Sequence, residues 1–120
     1  MLTRLEAAVL EMILDKRGEP YQTIQQQLSY ATVANRKLSG VGFFTHFTLP
    51  PNVPVRRDLK DMTIGDVGAK FPNLKHGAGF ILFIREGSVQ MLEGYTYDES
   101  WPENSDDFKL FRMESPKTSQ

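Results

Sequence analysis

Apolar positions recur along this chain with two different periods, and the change from one to the other divides it. Leu2, Leu5, Val9, Met12 and Ile13 share one face of a 3.6-residue helix, and Thr3 and Glu6 have the spacing of a capping box at its start. Gly18 is a stop signal with Pro20 just beyond it. A second short helix is predicted over 20–28, with Tyr21, Ile24 and Leu28 turned inward and three consecutive glutamines serving as ordinary helix formers. Residues 30–38 lean toward strand because Thr32 and Val33 are β-branched. From residue 41 the period is two: Val41, Phe43, Thr45, Phe47 and Leu49 alternate with Gly42, Phe44, His46 and Thr48. Pro50-Pro51 ends that strand, and 52–60 read as an extended surface crossing.

The strongest pattern lies further on. Residues 78–84 are too short and too rich in branched and aromatic side chains for a helix, and read as a strand buried on both faces. Glu86-Gly87 supplies a tight turn, with the glycine free to take positive φ. Counting back from a two-residue loop pairs Arg85 with Ser88, Ile84 with Val89, Leu82 with Met91 and Phe80 with Glu93. Glu93 is then a carboxylate where an apolar residue is expected, at least half buried in either register. A one-residue slip moves it to the opposite face. A buried carboxylate must be hydrogen-bonded, paired or protonated. Functional sites use that cost to shift a pKa, and structural ion pairs shift it too.

Residues 61–74 are the least regular, holding a short strand or a helical turn broken by Gly65, Gly68 and Pro72. After the hairpin come Trp101-Pro102, an acidic loop and a last strand over 108–113. The polar residues 114–120 read as a flexible C-terminal tail. Helices first and strands after predict a single α+β domain over 1–113. In it, two N-terminal helices pack on a mainly antiparallel sheet of about four or five strands.

Composition narrows the chemistry. The 120 residues suffice for one core, and 14 basic against 15 acidic residues without a basic run point away from nucleic acid. The absence of cysteine removes disulfides, thiolate chemistry and Cys-ligated zinc, and only two histidines are present. No metal site and no cofactor are expected. The sequence lacks the layout of a signal peptide and any membrane-length apolar run, so a cytoplasmic protein without a membrane partner is the expectation.

Several residues remain as candidates. The repeated Gly-x-Gly-Phe at Gly40, Gly42, Phe43 and at Gly77, Gly79, Phe80 lacks the helix and the Lys of a phosphate loop, and reads as glycines at bulges or close strand crossings. His46 lies opposite Phe43 and Phe47 on its strand; beside Glu93 it forms an acid–base pair, and otherwise it is an ordinary histidine on a sheet face. His76 reads as a loop residue. Asp98, Glu99, Glu103, Asp106 and Asp107 match no calcium-loop spacing and read as a solvated acidic loop. Tyr95, Tyr97 and Trp101 form an aromatic group with polar tips, suited to a pocket or an interface anchor, or to core packing.

Gly40-Val-Gly-Phe-Phe-Thr-His-Phe47, Gly77-Ala-Gly-Phe-Ile-Leu-Phe-Ile-Arg85 and Leu92-Glu-Gly-Tyr-Thr-Tyr-Asp-Glu-Ser-Trp-Pro102 resemble a group of small uncharacterised bacterial proteins. The segments are similar to products of mobile integron gene cassettes. The resemblance spans the central half of the chain and implies a bacterial, cytoplasmic, single-domain protein. It carries no activity and no site residue across.

The expected role is therefore a non-catalytic binding module for a small ligand or a protein partner, using Glu93, Tyr95, Tyr97 and Trp101. The alternative is a small hydrolase or isomerase with Glu93 and His46 as its acid–base pair. A homodimer that covers the apolar strand is a further option.

Overall fold

The computed structural model describes residues 1–113; the expected tail at 114–120 lies outside the described residues. Thr3 accepts from the Glu6 backbone N–H, and the Glu6 side chain accepts from that of Thr3, completing the capping box that opens α1 (Arg4–Ile13). α2 (Tyr21–Tyr30) follows, two residues longer at its C-terminus than the pattern suggested. Six strands come next: β1 (Thr32–Leu38), β2 (Gly42–Thr48), β3 (Met62–Lys70), β4 (Ala78–Arg85), β5 (Ser88–Thr96) and β6 (Lys109–Arg112). They form one antiparallel sheet in the order β1-β2-β5-β4-β3-β6, so the α+β expectation holds with one or two more strands than foreseen.

Of the two alternatives for residues 61–74, short strand or helical turn, the strand is the one formed, as the nine-residue β3. Its glycines do not break it; they serve it. A Cβ on Gly68 would lie 2.7 Å from the Phe111 ring of β6, so the bare backbone is what lets that neighbour cross. Between Ile64 and Val67 the register shifts, so that Gly65 and Asp66 together oppose Ile81. Ile64 and Val67 are three apart, yet both are buried. A strand without a bulge would send one of them to the wrong face.

The same device governs the central hairpin and corrects its expected register. Arg85 faces Ser88 and Ile84 faces Val89, as counted from the turn. A bulge at Gln90 then advances the pairing by one residue: Phe83 faces Met91, Leu82 faces Leu92, Ile81 faces Glu93 and Phe80 faces Gly94. Val89 and Leu92 are again three apart and both buried. Burying the two together sets the register, and Glu93 moves to the other side of the sheet.

Both helices pack on one face. There Leu5, Val9 and Ile13 of α1 and Ile24 of α2 meet Phe43, Ile64, Val67, Phe80, Leu82, Ile84, Val89 and Leu92. Residues 78–84 are therefore covered on one face only, not on two. Gln27 of α2 is 0% exposed and is no ordinary helix former. Its Nε2 donates to Gly87 O at 2.9 Å and its Oε1 accepts from Val89 N at 2.8 Å, clamping the helix to the hairpin turn. Glu86 and Gly87 both have positive φ, as a type I′ turn requires, and a Cβ on Gly87 would lie 2.0 Å from Arg56 O.

Candidate functional site

Two carboxylates sit among apolar groups, one on each face of the sheet. Glu6 is 1% exposed, on the helix-covered face. Arg36 of β1 reaches across the edge of the sheet and donates to it twice, Nε to Oε2 at 2.8 Å and Nη2 to Oε1 at 2.6 Å. The Thr45 hydroxyl of β2 and the Thr3 N–H complete four donors. Burial alone pushes this carboxyl up, but the hydrogen bonds from Arg36, Thr45 and Thr3 with the Arg36 charge outweigh it and hold the group below its ordinary value. The buried, satisfied acid is thus Glu6. The signal for it was its place within the helical stripe, one turn before Val9 and beside Leu5, where the capping-box role alone does not explain the burial.

Glu93 occupies the other face, which no helix covers. Its direct cross-strand neighbours are Phe44 on β2 and Ile81 on β4, and Met91 and Tyr95 flank it along β5. Met91 in turn faces His46 and Phe83. Phe44, Ile81, Phe83, Met91 and Tyr95 are all only partly buried, as is Glu93 itself. No hydrogen bond or ion pair joins Glu93 to another described side chain. Arg85, a cation near this patch, is occupied: it stacks 5.2 Å from the Phe83 ring centroid and donates to the carbonyls of Met62 and Ile84. Lys37 lies on the same row of the sheet, beyond Phe44.

His46 and Glu93 do share a face, on neighbouring strands and diagonally across Met91. Diagonal positions of this kind have Cβ atoms about 7 Å apart, within reach of long side chains, yet no hydrogen bond joins the two. None of the principal concavities among the described residues is lined by either group.

The aromatic group divides. Tyr95 and Tyr97 stay together on the open face as an edge-to-face pair at 5.4 Å. Tyr95 lies across Gly79, where a Cβ would be 2.5 Å from its ring. Burial pushes the Tyr95 phenol up to about 12, with Tyr97 and the Glu93 charge adding to it. The two tyrosines line a cleft of about 530 Å³ with Thr63, Gly65 and Asp66. Trp101 lies elsewhere, on the helix side, edge-on to Phe43 at 5.2 Å and Phe71 at 5.7 Å. It is a packing residue there, held by its backbone N–H to Gly40 O at 2.8 Å.

Gly42, Gly77 and Gly79 lie at close crossings, with a Cβ on Gly42 falling 1.9 Å from Gly94 O, whereas Gly40 has open space around it and a positive φ. In the acidic loop, Glu99 accepts from the backbone N–H groups of Lys75 and His76 at 3.1 Å, and these hydrogen bonds hold its carboxyl below the ordinary value. Among the described residues no cluster of His, Cys, Asp or Glu is placed to hold a metal ion, and no helix is long and apolar enough to cross a membrane.

These features define a two-layer α+β protein with one covered and one open sheet face. Comparison with protein-family models, with curated proteins and with solved structures gives no match to the chain.

Proposed function

We propose that this protein is a non-catalytic binding module, and that the uncovered face of β2, β5 and β4 docks a protein partner. The observation that carries the reading is the unpaired Glu93 carboxylate at the centre of Phe44, Ile81, Phe83, Met91 and Tyr95. Monomeric proteins rarely leave a large contiguous apolar patch open, and the largest such patch is often an interaction site. The three strands β2, β5 and β4, spaced about 4.8 Å apart and running about 25 Å, make a face on the order of 350 Å², and β1 and β3 on either side extend it to about 600 Å², close to one partner's share of a standard interface. That extent suits a protein better than a small ligand, for which the Tyr95–Tyr97 cleft is the smaller alternative.

Two copies docked by a two-fold centred on the patch would bring Glu93 against Glu93, two like charges in an apolar interface. A separate partner avoids that cost. The test is to pan a random peptide display library on the protein and counter-select on Ile81→Asp, with Ile81→Thr as the milder substitute if the first variant does not fold. Peptides whose affinity falls about tenfold or more on the variant are expected. Recovery only of peptides that bind both proteins equally would remove the reading. Sedimentation velocity at micromolar concentration should give a monomer; a dimer dispersed by Ile81→Asp would replace the separate partner with a second copy.

The hydrolase or isomerase alternative keeps one supporting observation, the shared face of His46 and Glu93. It requires a ligand to bridge them, and His46→Ala would then abolish turnover in a screen of ester and amide substrates.

A further inference from the structure

We infer that the open face recognises a basic side chain of its partner, an arginine flanked by apolar residues, with Glu93 as the anion that receives it. The inference rests on the binding reading above and adds the partner's chemistry to it.

Glu93 is surrounded on its row and along its strand by Phe44, Ile81, Met91 and Tyr95. A partner that covers these groups removes water from the carboxylate as well. An acid desolvated in that way needs a cation or a proton, and no described side chain supplies the cation. Arg85 is engaged with Phe83 and two carbonyls, and Lys37 is one strand beyond Phe44. Among the described residues no cation is paired with Glu93, and the partner is the source assigned to it.

Guanidinium fits the surroundings better than ammonium. Its plane stacks on aromatic rings, here Phe44 and Tyr95 on two sides of the acid, while its fork of N–H donors matches both carboxylate oxygens. Tyr95 stays a neutral phenol at physiological pH, so it offers a ring face and a hydroxyl without a second charge. Gly42 and Gly79 face Tyr95 from the two neighbouring strands and bring no side chain to this face; Gly42 is held as glycine by the Gly94 backbone and Gly79 by the Tyr95 ring that lies across it. The result is an open sheet surface with one charge at its centre and apolar side chains around it, the arrangement in which one arginine dominates an interface.

The face-dependent peptides from the display experiment test this directly. They are expected to share an arginine next to apolar residues. Glu93→Gln should weaken them about tenfold or more, Glu93→Asp less, and replacing the peptide arginine by citrulline should cost nothing further on Glu93→Gln. Circular dichroism and urea midpoints confirm that both variants are folded. Peptides that lose affinity on Ile81→Asp but stay within twofold on Glu93→Gln would overturn the arginine while leaving the docking face intact. Failure to recover any face-dependent peptide would overturn both.

Discussion

The two faces of this sheet each hold a carboxylate among apolar groups, and they treat it in opposite ways. On the covered face Glu6 is 1% exposed and accepts four hydrogen bonds, two of them from a guanidinium. On the open face Glu93 is half-buried and has no partner among the described side chains. The first arrangement compensates burial and ties α1 to β1 and β2. The second leaves the carboxylate without compensation among the described residues. A buried acid that its own protein satisfies has a structural role sufficient to explain it, and one left unsatisfied is the better candidate for function.

The comparison can be broken first at the level of packing. Phe80 lies at 0% exposure beneath the helices, and Phe83 lies on the open face. Phe80→Ala should cost about 3–5 kcal/mol in urea denaturation and Phe83→Ala only about 1 kcal/mol. Similar losses at both would mean that the open face is covered in solution.

Next come the polar clamps. Glu6→Ala strands the Thr45 hydroxyl and the Thr3 N–H and should cost about 2–4 kcal/mol, below the full value for a deeply buried pair because Arg36 is 31% exposed. The effect should depend on pH. Glu6 and Asp66 are both held below their ordinary values, Asp66 because the Lys16 and Arg112 pairs at 2.9 Å outweigh the opposing effect of burial. The folded state therefore binds fewer protons than the unfolded chain in the acid range. Their stabilisation is complete above about pH 5 and is lost as pH falls through the folded values. Wild type and Glu6→Gln should converge in stability between pH 7 and pH 3. Gln27→Ala should cost about 1–3 kcal/mol and speed hydrogen exchange at the Val89 amide, which donates to that side chain. The smallest effect is a gain: Glu93→Leu should stabilise the protein by about 0.5–1 kcal/mol through new contacts with Phe44 and Ile81, while weakening partner binding.

Much of this was legible in the chain. The capping box, the two helices, the alternation of β2 and the turn at Glu86-Gly87 all rest on local rules, and local rules read well from sequence. The register did not, because a turn sets pairing only as far as the first bulge. The three-residue spacings of Ile64 to Val67 and of Val89 to Leu92 were the available clue, since two residues meant for one face of a strand cannot be three apart without a bulge. Glu6 and Gln27 were hidden for a different reason. Each has an adequate local role, as a cap and as a helix former, and its tertiary role depends on groups at Arg36 and Val89 far along the chain. For the candidate site, Glu93 and Tyr95 kept their proximity, Trp101 left it for the core, and Phe44, Ile81, Phe83 and Met91 joined once the open face was known.

The most direct test of the account is the pair of isosteric changes Glu6→Gln and Glu93→Gln, compared by urea denaturation at pH 7. The account predicts a loss of about 1.5–3 kcal/mol at Glu6 and a change within about 0.5 kcal/mol at Glu93. A loss at Glu93 equal to or greater than that at Glu6 would contradict it, because Glu93 would then be serving the fold and not a partner.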